Sequence, residues 1–566
     1  MENNISRRDF LKKTAFSAIL LSNSNSFNIL HFQKFNKEYT LIKNGLLIDG
    51  LGNDAIEKDI LIKNDKILKI DKQIKESKSY NIINAKHLVV SPGFIDPHTH
   101  TDENLLINPK AESFIRQGVT TEIGGNCGDS PFPISKDKLE ERKKYFKEKY
   151  DIDADWVDVN GFYNKMENQG ISINYASLLG HGTLRGYVIG YNDIEPTEEQ
   201  LNIMKSIIED NLKSGVMGLS TGLEYTPGSF AKTNELIELC KIVAKYNSVY
   251  STHLRNEDDT LIEAVNEAID IAEKSGVSLE ISHLKTCYPR NWNKIDKLLL
   301  TLESAKEKGI NILADRYPYT AFATSLSACF PIWTREGTSD DFINRLKDVN
   351  LSDRIDSYLK EKEIKYGSWE NVLISNVDSE KNKYCIGKNI LELSNINQKN
   401  PIQFIKDLLI EEKSNVGMIV FAMSENNLKR ILKHPLVVIG SDGSSIAPYG
   451  VLGQGNPHPR HYGAFARVLN KYVREEKVLD LPTAIKKMTS ITAKKFNIMN
   501  RGVIKENFYA DITIFDPDEV KDLSEFNKPH QYAKGIKYVL VNGRITINEE
   551  EHTGALSGKI IRRGRP

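Results

Sequence analysis

The stretch "GFIDPHTH", residues 93–100, decides how the chain is read. It ends an apolar run, "HLVVSPGFI", that has the make-up of a strand, and then sets two histidines two apart, His98 and His100. Side chains at i and i+2 of a strand point to the same side, so both imidazoles leave one face at the strand's end. Seven more short apolar runs follow: "TTEIGGNC", "YASLLGHG", "GVMGLSTG", "SVYSTHL", "SLEISHL", "NILADRYPY" and "LVVIGSDG". Helical patterns lie between several of them, such as "DTLIEAVNEAIDIAEKSG", with apolar residues three and four apart. Eight strand–helix units predict an α/β fold, a (β/α)8 barrel, over residues 91–499.

Both ends of the chain read differently. Residues 38–90 ("YTLIKNGLLIDG", "DILIKNDKILKI") and 500–566 ("ADITIFDP", "KYVLVNGRITI") show period-two runs broken by turn residues. They predict one small β-sandwich domain assembled from both termini. Within the barrel, about a hundred residues separate the seventh and eighth strands, far more than a crossover helix needs. An inserted lid is expected at about 325–415.

Active sites of such barrels form at the C-terminal ends of the strands. His98 and His100 end strand one, Cys127 strand two, His253 strand five, His283 strand six and Asp442 strand eight. Four of only twelve histidines thus end three barrel strands. A lone strand-end histidine is more often structural, and a lone cysteine is core by default. The set together reads as metal ligands, because imidazole and thiolate suit zinc and a carboxylate is acceptable. "GGNCG" also gives Cys127 a tight turn and an open approach. The set exceeds the needs of one tetrahedral zinc and fits one tight site with a possible second, weaker one.

The remaining 566-residue composition excludes several classes. Hydrophobic residues make up 40% and charged ones 27%, as in an ordinary globular protein. Lys+Arg and Asp+Glu are both 76, so no net basic field draws nucleic acid. Five widely spaced cysteines without a CxxC pair do not make a disulfide framework. No 18-residue apolar run occurs, so no membrane span is expected. Residues 1–37 carry paired arginines, Arg7 and Arg8, before Phe10, Leu11 and a moderately apolar stretch. That pattern reads as a twin-arginine export signal and leader, which implies a periplasmic location.

The pieces "SPGFIDPHTHTDE", "QGVTTEIGGNCG", "STHLRNE", "ISHLK", "DRYPYTA", "IGSDGS" and "HPRHYGAFARVLNKYVREE" resemble the amidohydrolase superfamily, in its D-aminoacylase (N-acyl-D-amino-acid deacylase) family. The resemblance runs from "IKNGLLIDGLGN" to "HTGALSGKIIRRG". It implies that Cys127, His253 and His283 hold the tight zinc and that His98 and His100 face the weaker site. Cys127 would take the bridging place that a strand-four lysine holds in many relatives, since "GVMGLSTGLEYTPG" has no lysine. Asp442 is implied as the base that activates water and returns the proton to the leaving nitrogen. The substrate, an N-acyl-D-amino acid, would meet Lys285, Tyr225, Tyr317 and Arg460. For Tyr319 core packing is an equal reading, and Arg255, Glu224 and His181 are expected in supporting roles. The alternatives are a hydantoinase- or dihydroorotase-like cyclic amide hydrolase, and a non-catalytic exported metal-binding protein.

Overall fold

The structure, a computed structural model, describes residues 38–565, so the expected export signal in 1–37 lies outside the described residues. Eight parallel barrel strands occur where the apolar runs place them. They are β1 (Phe94–Asp96), β2 (Val119–Gly124), β3 (Asn174–Ser177, continued by Leu179–Gly180), β4 (Gly218–Gly222), β5 (Val249–His253), β6 (Ser278–Ile281), β7 (Ile312–Arg316) and β8 (Val437–Ile439). Strands β1–β2–β3 form one sheet, and the second part of β3 continues through β4, β5, β6 and β7 to β8. A parallel bridge between Thr99 and Gly443 joins the ends of β1 and β8 and closes the ring.

The helices follow from the sequence in the usual way. Leu261–Ser275 buries Leu261, Ile262, Ala264, Val265, Ala268, Ile271 and Ala272 along one face, and ends at Gly276 with φ 74°. That left-handed position is the common glycine stop of a helix. At the bottom of the barrel, Lys495 Nζ donates to the carbonyls of Leu279 and Asn311, both at 2.7 Å, where β6 and β7 begin.

The strands near both termini join in one nine-stranded sheet. Its seam is the antiparallel pairing of Val89–Pro92 with Ile512–Phe515. The hairpin between Ile536–Val541 and Arg544–Asn548 turns on Asn542 (φ 48°) and Gly543 (φ 73°), the Asn-Gly pattern of a tight hairpin turn. A Cβ at Gly543 would lie 1.9 Å from the Asn64 carbonyl, so no larger residue fits there. Between β7 and β8 an insert builds its own antiparallel sheet from Ala321–Ser325, Val372–Asn376 and Gly417–Phe421. Its bounding strands lie just outside the expected 325–415. Among the described residues no helix is long and apolar enough to cross a membrane.

A buried cluster locks the small sheet to the barrel. Arg501 pairs with Asp511 and donates to Asn542 Oδ1 at 2.7 Å, while Asn174 on β3 donates to Asp511 at 3.1 Å. Removing one partner of a buried ion pair strands the other charge. Arg501→Met should therefore destabilise the junction by about 3–5 kcal/mol, seen as a lower thermal midpoint. A midpoint equal to wild type would contradict this role.

Candidate active site

The six strand-end residues meet at one mouth. Cys127 Sγ is the centre. It lies 3.3 Å from His98 Nε2, 3.5 Å from His283 Nε2 and 3.8 Å from His253 Nδ1. The glycines around it make this possible. A Cβ at Gly125 would fall 2.1 Å from the Leu178 carbonyl, and one at Gly222 would fall 2.0 Å from that of Cys127. Cys127, His283 and Asp442 all have left-handed backbone, with φ of 51°, 38° and 53°. Such non-glycine positions cost roughly 1–3 kcal/mol each and gather at functional sites.

Asp442 sits beside this centre. Its Oδ1 is 3.1 Å from His100 Nε2 and 3.5 Å from His98 Nε2, and Arg460 donates to its Oδ2 at 2.5 Å. Burial would raise the Asp442 carboxyl, but Arg460 and then His100 hold it well below the usual carboxylate range, so it is ionised. Burial pushes His98 and His283 down and leaves both imidazoles neutral, with lone pairs to offer. Burial and then Asp442 push the Cys127 thiol well up. A nearby cation reverses that, since it favours the thiolate outright. His98, Cys127, His283 and Asp442 present four ligand atoms within 4.8 Å of one another, a donor set that fits a metal ion.

Two carboxylates absent from the expected site hold these ligands from behind. Asp315 on β7 lies 3.0 Å from His98 Nδ1 and accepts the backbone N–H of His283 at 3.0 Å. Glu257 lies 3.0 Å from His283 Nδ1 and accepts from Lys285 Nζ at 2.5 Å. His283 Nδ1 thus lies within hydrogen-bond distance of both Glu257 Oε1 and Lys285 Nζ, which fixes the ring with its Nε2 facing Cys127. Burial opposes the charge on Glu257, yet Lys285, His283 and His253 hold it well below the usual range. His253, Glu257 and His283 form a second cluster of ligand atoms, and Lys285 Nζ stands 2.8 Å from His283 Nδ1 beside it. Glu257 ends the quoted "STHLRNE" and Asp315 opens "DRYPY". The signals were a carboxylate four residues after a ligand and a lone acid in an apolar strand.

A cavity of about 580 Å³ opens over the cluster, within the range of small-molecule sites. Tyr225, Tyr317, Lys285 and Arg460 all line it, as do Glu224 and Arg255. Lys285 and Arg460 do not face it as free cations, because Glu257 and Asp442 engage them. Tyr319 does not line it. Its hydroxyl points to the Pro459 carbonyl at 3.4 Å and its ring packs under Arg467, so it belongs to the core. His181 is likewise outside, 2.9 Å from Glu235. The insert supplies a wall that the strand-end pattern missed, with Arg335, Tyr358, Lys362 and Lys365. Lys365 ties it to the loop after β5 through Asp259 at 2.7 Å.

Residues 383–547 match the model of the amidohydrolase family. A D-aminoacylase of Alcaligenes xylosoxydans xylosoxydans is 30% identical over 530 residues, covering 92% of this chain and 97% of that one. The crystal structure of an N-acyl-D-glutamate deacylase from Bordetella bronchiseptica, complexed with zinc and a phosphonate inhibitor, is 28% identical. It superposes with a TM-score of 0.77 over 92% of this chain and 99% of that one. A D-aminoacylase described with a binuclear metal centre gives a TM-score of 0.77 at 29% identity, over 93% and 99%.

Cys127 is the atom that three imidazoles share, so Cys127→Ala should lose most of the tightly held metal. Elemental analysis of the purified variant measures this, and metal at wild-type stoichiometry would remove Cys127 from the ligand set.

Proposed function

The chain belongs to the amidohydrolase family, in its D-aminoacylase branch, and we propose from that membership that it hydrolyses N-acyl-D-amino acids to a carboxylic acid and a free D-amino acid. It is a hydrolase of linear amide C–N bonds. The resident metal in this reading is zinc, held tightly by Cys127, His253 and His283, with His98 and His100 facing a second, weaker position. When bound, zinc supplies Lewis acidity, polarising a carbonyl and acidifying water.

The observation that carries the reading is the position of Asp442 at the edge of the donor cluster, with Arg460 on one oxygen and His98 and His100 beside the other. Arg460 occupies its Oδ2, which leaves Oδ1, on the side of His98 and His100, as the proton-accepting atom. In the proposed step Asp442 takes a proton from the attacking water and passes it to the leaving nitrogen, which leaves poorly as an anion. Tyr225 and Tyr317, with Lys285 and Arg460 beside them, line the space for the substrate's carboxylate. The cyclic-amide alternative gains nothing from β4, which carries no lysine.

The export reading of residues 1–37 extends the proposal to a periplasmic enzyme. Mass spectrometry of the native protein should then give a start at about residues 22–37; an intact Met1 or Glu2 start excludes cleavage.

Zinc-loaded protein should turn over N-acetyl-D-amino acids in preference to their L forms. Asp442→Asn keeps shape but cannot carry a proton, so kcat should fall about 10²–10⁴-fold with zinc retained. A folded, zinc-replete variant within about tenfold of the wild-type kcat would refute Asp442 as the base.

A further inference from the structure

Four polar residues occupy alternate positions from the end of β1 onward: Asp96, His98, His100 and Asp102. The histidines belong to the donor cluster. The aspartates that flank them do not line the cavity, yet Asp96 is fully buried and Asp102 is only 8% exposed. A buried carboxylate is costly unless it is hydrogen-bonded, so the partners of these two indicate what they are kept for.

Asp96 Oδ1 accepts two backbone N–H groups, from His98 at 3.1 Å and from Ser441 at 3.0 Å, while Oδ2 has no partner. Ser441 precedes Asp442, so one oxygen fastens both a histidine of the cluster and the neighbour of the base. The bond lies on the seam of the barrel. Among the described residues β1 and β8 share no strand ladder. The ring closes beyond them, where the Asp442 N–H donates to the His98 carbonyl at 2.9 Å and the His100 N–H to the Gly443 carbonyl at 2.7 Å. The fit of that seam is therefore the fit of Asp442 to the histidines.

Asp102 reaches the other way. Its Oδ1 accepts the Gly125 N–H at 2.9 Å and the hydroxyl of Tyr175 on β3. Gly125 opens the turn that carries Cys127. A Cβ at Gly124 would lie 2.5 Å from the same oxygen, so that glycine leaves room for the carboxylate.

We propose that Asp96 and Asp102 are positioning residues with divided work: Asp96 sets Asp442 against His98 across the β1–β8 seam, and Asp102 holds the turn that presents Cys127. The kinetic consequence rests on the deacylase reading with Asp442 as base, whereas the fastening of the two segments rests on geometry alone.

Alanine and asparagine at each position test this in the full chain loaded with zinc. Asp102→Ala should weaken zinc about 10–100-fold in chelator competition. Asp96→Ala should hold zinc within about twofold of wild type and lower kcat about tenfold or more, with KM little changed. In an Asp442→Asn background Asp96→Ala should cost no further kcat, because it acts through the base. Asparagine keeps the accepting oxygen, so Asp96→Asn and Asp102→Asn should recover most of each loss. Hydrogen exchange reads the segments directly. Asp96→Ala should speed exchange in residues 437–445 and Asp102→Ala in residues 122–128, with the rest of the barrel unchanged. The same phenotype from both alanine variants, kcat losses that add in the Asp442→Asn background, exchange that rises across the whole barrel, or alanine variants equal to wild type would each overturn the assignment. A wild type that binds zinc but cleaves no N-acetyl-D-amino acid removes the deacylase reading, and zinc affinity and exchange then decide the roles of Asp96 and Asp102 by themselves.

Discussion

The structure turns on the convergence of electron-pair donors at Cys127. Neutral imidazoles of His98 and His283, the His253 ring and the ionised Asp442 all point into a few ångströms around one sulfur. Lone pairs crowded this closely need a proton or a metal ion between them, and a dication would deprotonate the Cys127 thiol. Much of the surrounding fold serves that crowding. Gly125 and Gly222 let the chain pass where a Cβ would collide with backbone. Three left-handed residues carry the functional side chains, and Asp315 and Glu257 fix the imidazoles from behind.

Charge is settled pair by pair around this centre. Glu257 holds Lys285 and orients His283 with the same oxygen. Arg460 fixes one oxygen of Asp442 and leaves the other beside His100.

The barrel was legible because its strands are short apolar runs and its ligands end them. The pairing of His98 with His100 and the later positions of His253, His283 and Asp442 needed only strand period and the rule that sites lie at strand ends. Glu257 and Asp315 escaped because they touch the ligands and not the cavity's centre, and spacing alone does not reveal that. Lys285 was placed with the substrate, and its partner Glu257 did not show because it comes from the loop after the neighbouring strand. The insert announced itself as a lid by its length, while its sheet, drawn from three separated strands, and the particular residues it brings to the cavity wall did not show.

The central claim is that the sulfur of Cys127 binds the metal directly. Replacing the metal with cobalt(II) and recording the absorption spectrum tests it in the intact protein. The account predicts a near-ultraviolet thiolate-to-cobalt charge-transfer band at full cobalt loading, because a coordinated thiol is deprotonated. Full loading without that band would contradict it, and would leave the histidines and Asp442 to hold the metal alone.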